Sequence, residues 1–294
     1  MIWPLLFDFI GLVPLLIVGG IVMWRKRQLD QDPRRDPLTT ELLRLPGDSL
    51  QTRMEDLSEQ HQDQALKAFT MGLILAIFLA IRRIGDTPAP WQWTDGILLL
   101  AGIIWASLIG WKITKTMPLR RRLRQALRAE QATAQEMADA LIGDNRLIHD
   151  VQAGEFNIDH VVITPGGVFA VETKSRLKPP SGNGPAKVKY DGRALDFGSW
   201  QETKPLEQAA RQAHWLAGYL KKSTGKAYEV TAVLALPGWF VEPTARIEDD
   251  MVRVINPKNT RYTIFPSRPK QTLNAEAIQQ AAFQIEKLAQ AKNE

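Results

Sequence analysis

The chain has 294 residues, a formal net charge of +5 and a pI near 9.4. It contains no cysteine, which excludes disulfides, thiolate zinc sites and cysteine nucleophiles. The four histidines (His61, His149, His160, His214) show no metal-ligand spacing, and the longest apolar runs fall before residue 114, so the first part reads as a membrane half and the rest as one soluble domain.

Residues 3–24, WPLLFDFIGLVPLLIVGGIVMW, are long and apolar enough to span a bilayer core. No Lys or Arg precedes the run and no small-x-small cleavage site follows it, so a retained anchor is expected rather than a cleaved signal. Asp8 lies near the edge, within reach of headgroups, and Pro14 would kink the span. Residues 1–25 thus read as a first transmembrane helix and 26–65 as a polar cytoplasmic linker. DPRRDP and LPGD break that linker, and DSLQTRMEDLSEQHQDQALKAF is a helix feeding the next span. Residues 66–81 and 95–111 are two further apolar stretches, forming a transmembrane hairpin over 66–112 with Trp91 and Trp93 at an interface. Basic clusters at 25–27 and from Lys112 to Arg124 place 25–65 and the C-terminal part inside and the N-terminus outside; Arg82 and Arg83 run against that orientation. The Arg120–Arg128 cluster reads first as this topology signal, with DNA contact second. The expected setting is a multi-pass protein of the cell (inner) membrane.

Residues 116–294 read as the cytoplasmic domain. Arg120 to Ile142 is helical by propensity and ends at Gly143. RLIHDV (146–151) is a short strand, and 156–163 and 168–173 are strands joined by Thr-Pro-Gly-Gly. AKVKYDGRALDFG is a hairpin turning at Asp191-Gly192; residues 203–222 are a helix with Pro205 in its first turn. YEVTAVLALP is a buried strand, MVRVINP another, and 274–291 an amphipathic helix. This order predicts an α/β fold with a central mixed sheet flanked by helices, preceded by a three-helix transmembrane region.

The chemistry concentrates in NIDHVVITPGGVFAVETKSR. Glu172 and Lys174 share a strand face, and Asp159 comes beside Glu172 if the two strands form a hairpin. Two adjacent carboxylates repel unless a positive charge lies between them, and Mg²⁺ is commonly held by one or two carboxylates plus phosphate oxygens. Lys174 beside such an ion is a point charge for a phosphate or an attacking water, a set suited to metal-assisted phosphodiester hydrolysis. His160 points away from Asp159 and reads as structural, as does His214.

The stretch NIDHVVITPGGVFAVETK resembles the core of the nuclease-related domain, of the PD-(D/E)xK superfamily with its restriction-endonuclease-like fold. The resemblance covers roughly residues 120–240. It implies that Asp159 and Glu172 bind Mg²⁺, with Mn²⁺ a substitute, and that Lys174 positions water or phosphate. A Gly-Glu pair on the preceding helix corresponds best to Gln135-Glu136, with Glu130 as competitor, and a Pro-x-x-Gln-Ala helix pattern points to Gln208. Ile158 stands where the superfamily name has Pro. The stretch RLKPPSGNGPAKVKY is long and basic, and its Arg176, Lys178, Lys187 and Lys189 are expected to grip a nucleic-acid backbone.

The expectation is a membrane-anchored, Mg²⁺-dependent nuclease acting on DNA or RNA at the cytoplasmic face, in defence or DNA processing. Its partners would be nucleic acid, DNA first, the lipid bilayer and a second copy of itself. The alternative is a catalytically inactive, membrane-tethered module that binds nucleic acid or a partner.

Overall fold

A computed structural model describes residues 43–81, 90–141, 143, 145–178, 186–264 and 269–290, with Ile21, Trp24, Arg27 and Gln28. The expected first span, 3–24, lies outside the described residues except for Ile21 and Trp24. The described elements are α1 (Asp48–Ile81), α2 (Trp93–Ala140), β1 (Arg146–Gln152), β2 (Asn157–Thr164), β3 (Gly167–Thr173), β4 (Lys187–Tyr190), β5 (Leu195–Asp196), β6 (Gln201–Glu202), α3 (Lys204–Thr224), β7 (Val230–Ala235), β8 (Phe240–Pro243), β9 (Arg253–Ile255), a 3₁₀ turn (Pro257–Asn259), α4 (Thr260–Ile264) and α5 (Ala275–Glu286).

The chain divides into two compact units, one of residues 1–40 and 57–118 and one of 41–56 and 119–294. Within the first, α1 and α2 each carry a stretch long and apolar enough to cross a membrane. Among the described residues there are therefore two such helices rather than three. None of either apolar window is buried. Phe69, Ile74, Phe78, Leu100, Ile103 and Leu108 are all exposed, an extensive apolar surface. Gly102 allows close approach, since a Cβ there would come within 2.8 Å of Leu75 Cδ2. Trp91 and Trp93 stand exposed before the second apolar stretch. Pro118, inside α2, removes one helix hydrogen bond where one unit gives way to the other.

The second unit is mixed α/β, built on a five-stranded sheet of order β1-β2-β3-β7-β9. β1, β2 and β3 run antiparallel, whereas β7 joins β3 in parallel after the α3 crossover and β9 joins β7 in parallel. β3 is buried throughout, because both sheet faces are covered. Val161, Ile163, Val168 and Ala170 face α3 and α5, where they meet Leu216, Leu220, Ile278 and Ile285. Val162, Phe169, Val171 and Val233 face the other way, onto Met137 of α2 and Ile264 of α4. Strand alternation thus sorts one apolar run between two cores. α3 keeps the expected Pro205 in its first turn and ends at Gly225 in the left-handed region, φ 75°.

The hairpin at Asp191-Gly192 forms, but outside the central sheet. β4 and β5 belong to a separate four-stranded sheet of order β6-β5-β4-β8. β6 and β8 carry too little periodicity to be legible as strands, having two and four residues. Val188, Tyr190, Leu195 and Trp239 form this sheet's own core.

Candidate active site

The Thr-Pro-Gly-Gly turn sets the geometry. Thr164 Oγ1 accepts from the Gly166 N–H at 3.0 Å, and Gly167 takes φ 127°, a value that favours glycine. The resulting register runs from Thr164↔Gly167 to His160↔Val171. One further step puts Asp159 beside Glu172, on the face that carries Val161 and Ala170 toward α3. The Thr173 N–H donates to Asp159 Oδ2 at 2.6 Å, fixing the carboxylate at the strand end. Glu172 is 2% exposed. Its Oε1 accepts from Lys174 Nζ, and its Oε2 accepts from Gln212 Nε2 of α3 at 2.5 Å. The Lys174 N–H donates to Ala235 O at 2.9 Å, so the lysine backbone is held at the end of β7.

Asp159, Glu172 and Lys174 therefore come together, lining one cavity of about 650 Å³. Gln208 lines it as well, but Gln212, one turn further along α3, makes the contact with Glu172. Sequence reasoning stopped at the first glutamine of the helix; the i, i+4 spacing of the two was the signal for the second. On α2 the structure brings Glu130, not Glu136, to the cavity. Glu136 lies six residues on, which is roughly 240° round the helix. The resemblance had no register to choose between them, because the Gly that marks the pair is Gln135 here.

The acids disturb one another. Burial, and then the Asp150 and Glu172 carboxylates, push Glu130 up to about 8, offset in part by Lys174. Burial, then Glu172 and Glu130, hold Asp159 well above the usual carboxylate range, against the Thr173 N–H and Lys174. Such mutually raised carboxyls are typical of sites built for chemistry or for a cation.

One wall of the cavity comes from a segment that the sequence reading treated as linker. Ser49, Leu50 and Arg53 of α1 line it, opposite Arg122 and Gln125 of α2. Asp150 anchors this wall: Arg44 Nη1 (2.7 Å), the Ser49 N–H (3.0 Å), Ser49 Oγ (2.9 Å) and Asn157 Nδ2 (2.9 Å) all donate to its carboxylate. Asp150 adopts φ 48°, a left-handed conformation that Asp tolerates. Gly47, at φ 75°, passes so close to α2 that a Cβ would run into Leu127 and come within 3.3 Å of Glu130 Oε2. These contacts are a hundred residues apart in sequence, and no local pattern in 43–56 announces them.

The expected backbone-gripping cations are dispersed. Arg176 lines the cavity but forms a two-bond ion pair with Glu202, Nε–Oε1 2.6 Å and Nη2–Oε2 2.7 Å. Lys178 lies against Gly238, and Lys187 and Lys189 project from the exposed face of β4 on the second sheet, with Lys187 Nζ 5.7 Å from the Phe240 ring centroid. None of these three lines the cavity. His149, His160 and His214 do not line the cavity. His160 is fully buried with its Nδ1 2.9 Å from that of His149, and burial lowers the two to about 3 and about 4. His214 is exposed and away from the cavity. Trp200 stacks on Phe197 at 4.6 Å and meets Trp239 edge-on, which is packing rather than a platform for bases.

Comparison with curated proteins and with solved structures gives no match. The family model described as the nuclease-related domain matches residues 125–237. Glu130, Asp159, Glu172, Lys174, Gln208 and Gln212 fall within the match, whereas Ser49 and Arg53 fall outside it. Residues 125–237 of this chain are thus a nuclease-related domain.

Proposed function

We propose that the protein is a membrane-anchored nuclease that hydrolyses phosphodiester bonds of DNA or RNA with Mg²⁺, or Mn²⁺ in its place. One observation carries this reading: Asp159, Glu172 and Lys174 line a single cavity within the nuclease-related segment. The antiparallel β1–β3 meander followed by parallel β7 is consistent with the restriction-endonuclease-like fold that the resemblance implies. Two apolar helices support anchoring. The arginines after the second of them favour a cytoplasmic catalytic domain at the inner membrane.

Among the described residues no group of three or more His, Cys, Asp or Glu side chains forms a ready-made metal cage. Mg²⁺ does not require one, since it keeps several waters and takes one or two carboxylates together with substrate phosphates. The donor set fits this habit. Asp159 and Glu172 are hard oxygen ligands, and burial, then the Glu172 and Glu130 carboxylates, hold Asp159 above the usual carboxylate range, a penalty that a cation between the two acids would relieve. Those two residues would hold the ion, which would supply water activation and charge neutralisation at phosphorus. Gln212 fixes one Glu172 oxygen and leaves the other to Lys174. Lys174 Nζ then exchanges Glu172 for a phosphate oxygen of the substrate, a short swing for a flexible side chain. Glu130 is a further carboxylate able to orient the attacking water, and Arg53 and Arg122 hold phosphates at the cavity mouth. In the reaction the water oxygen bonds to phosphorus and gives up a proton to solvent, as the P–O bond to the sugar oxygen of the leaving strand breaks and that oxygen takes up a proton.

The test is degradation of plasmid and single-stranded DNA or RNA by the full chain in detergent, with Mg²⁺ or with EDTA. Wild type should cut only with the metal and Glu172→Ala should not cut; equal digestion by both removes the assignment. A second reading, a non-catalytic nucleic-acid-binding module, has the Lys174–Glu172 contact in its favour. Metal-independent, salt-sensitive binding without turnover would select it.

A further inference from the structure

A second cavity, of about 490 Å³, adjoins the first. Gln125 and Ser175 line both, and Gln125 Nε2 donates to Ser175 Oγ at 2.7 Å, so the two spaces share this wall. Arg121, Arg124 and Arg128 line the second cavity from α2. At i, i+3 and i+7 they form one stripe, within roughly 60° of helix surface. All three are exposed, and none has an ion pair or hydrogen bond to a side chain among the described residues. The remaining wall includes Leu177, 65% exposed, and Pro237. A topology signal accounts for the charge of these arginines, but not for a concave arginine-lined space opening beside Glu172 and Lys174.

We propose that this cavity is a subsite for a single nucleic-acid strand. It holds the phosphates next to the scissile one on Arg121, Arg124 and Arg128, with an unstacked base against Leu177 and Pro237. Three features converge on that occupant. Guanidiniums are the side chains of choice for phosphate oxygens. The shared Gln125–Ser175 wall makes the subsite continuous with the candidate catalytic cavity, as a polymer substrate requires. The apolar wall suits the face of a free base, which a paired and stacked base does not offer. Anionic lipid headgroups would also meet arginines, but would have no reason to select a cavity that shares a wall with the candidate catalytic one. The substrate class narrows accordingly, to single-stranded DNA or RNA or to the unpaired ends of a duplex. This inference rests on the nuclease reading for its meaning, but it is tested by binding and not by cleavage.

The experiment uses the full chain in detergent micelles, a fluorescent ten-residue oligothymidylate, and EDTA throughout, so that no cleavage occurs. Anisotropy titrations at several salt concentrations give the slope of log K against log salt for wild type and for the Arg124→Gln/Arg128→Gln double variant. Two lost phosphate contacts should flatten the slope by about 1.4 and weaken binding about 25-fold at 0.1 M salt relative to wild type. Wild type should also prefer the single strand to a ten-base-pair duplex. An unchanged slope and affinity in the double variant overturns the subsite, as does a wild type that does not bind the oligomer. If the variant keeps oligomer affinity but loses retention on phosphatidylglycerol vesicles, the arginines belong to the bilayer and the proposal falls. Equal affinity for the duplex overturns the single-strand assignment. Failure of Mg²⁺-dependent cleavage with the EDTA result intact would instead remove the catalytic reading and leave the subsite standing.

Discussion

Glu130 links the site to stability in a measurable way. Its carboxyl is raised to about 8 from 4.5 by burial and by the Asp150 and Glu172 charges. A carboxyl raised in the folded state keeps its proton while the unfolded chain has already lost it. Its contribution is therefore intact below pH 4.5 and is lost as the pH climbs toward 8. Each unit corresponds to about 1.4 kcal/mol, which puts the cost at roughly 3 kcal/mol at pH 6.5 and roughly 5 at pH 9. The metal-free wild type should lose about 2 kcal/mol over that interval from this residue, or about 4–8 °C in Tm for a domain of this size. His149 and His160, neutral in the folded protein but half protonated in the unfolded chain at pH 6.5, offset part of this loss by less than about 1 kcal/mol in all, and the comparison with Glu130→Gln cancels that contribution. Glu130→Gln keeps the shape and the burial but cannot ionise. Its Tm should fall less than that of wild type between pH 6.5 and 9, and it should be the more stable of the two at pH 9. Differential scanning fluorimetry of the full chain in detergent with EDTA reads this directly, and added Mg²⁺ should restore the wild type preferentially at the alkaline end. Parallel pH profiles for wild type and Glu130→Gln would refute the premise that Glu130 is a buried member of an acid cluster.

Other outcomes follow from the same contacts. Asp150→Ala strands the Arg44 guanidinium and frees the Ser49 turn, so a loss of about 3–5 kcal/mol in chemical unfolding is expected, with earlier proteolysis of the 41–56 segment. Gly47→Ala adds a methyl against Leu127 at a left-handed position and should cost about 1–2 kcal/mol from backbone strain alone; a neutral thermal shift would disprove the close approach. Trp239→Ala empties a fully buried indole that donates to Arg176 O at 3.2 Å, for about 3–5 kcal/mol, and should loosen the second sheet first in hydrogen exchange. On the acid side, His149 and His160 are held neutral at about 4 and about 3, so their contribution is full above pH 6.5 and drains away as the pH falls toward 4. Replacing both with Phe should flatten that acid limb in a Tm-versus-pH series.

The sequence by itself marked most elements of the second unit, though not β6 or β8, and pointed to the candidate triad. Turn chemistry at Thr-Pro-Gly-Gly fixes a hairpin register, and strand alternation then assigns Asp159 and Glu172 to one face without further information. Apolar length alone marked α1 and α2 as membrane-crossing candidates. Only the tertiary structure decided which distant groups complete the site. It chose Glu130 over Glu136 because helix rotation relative to the sheet, invisible in composition, sets which acid faces the cavity. It brought Gln212 to Glu172, and it paired Arg176 with Glu202, whereas Arg121, Arg124 and Arg128 have no such partner among the described residues. The largest gap, the wall formed by Ser49 and Arg53, rests on Asp150, about a hundred residues away, and such a contact leaves no periodic trace in the segment that it holds. Periodicity reports which face of an element is buried; it carries no record of what buries it, and that is why the strands were legible and the surroundings of the acids were not.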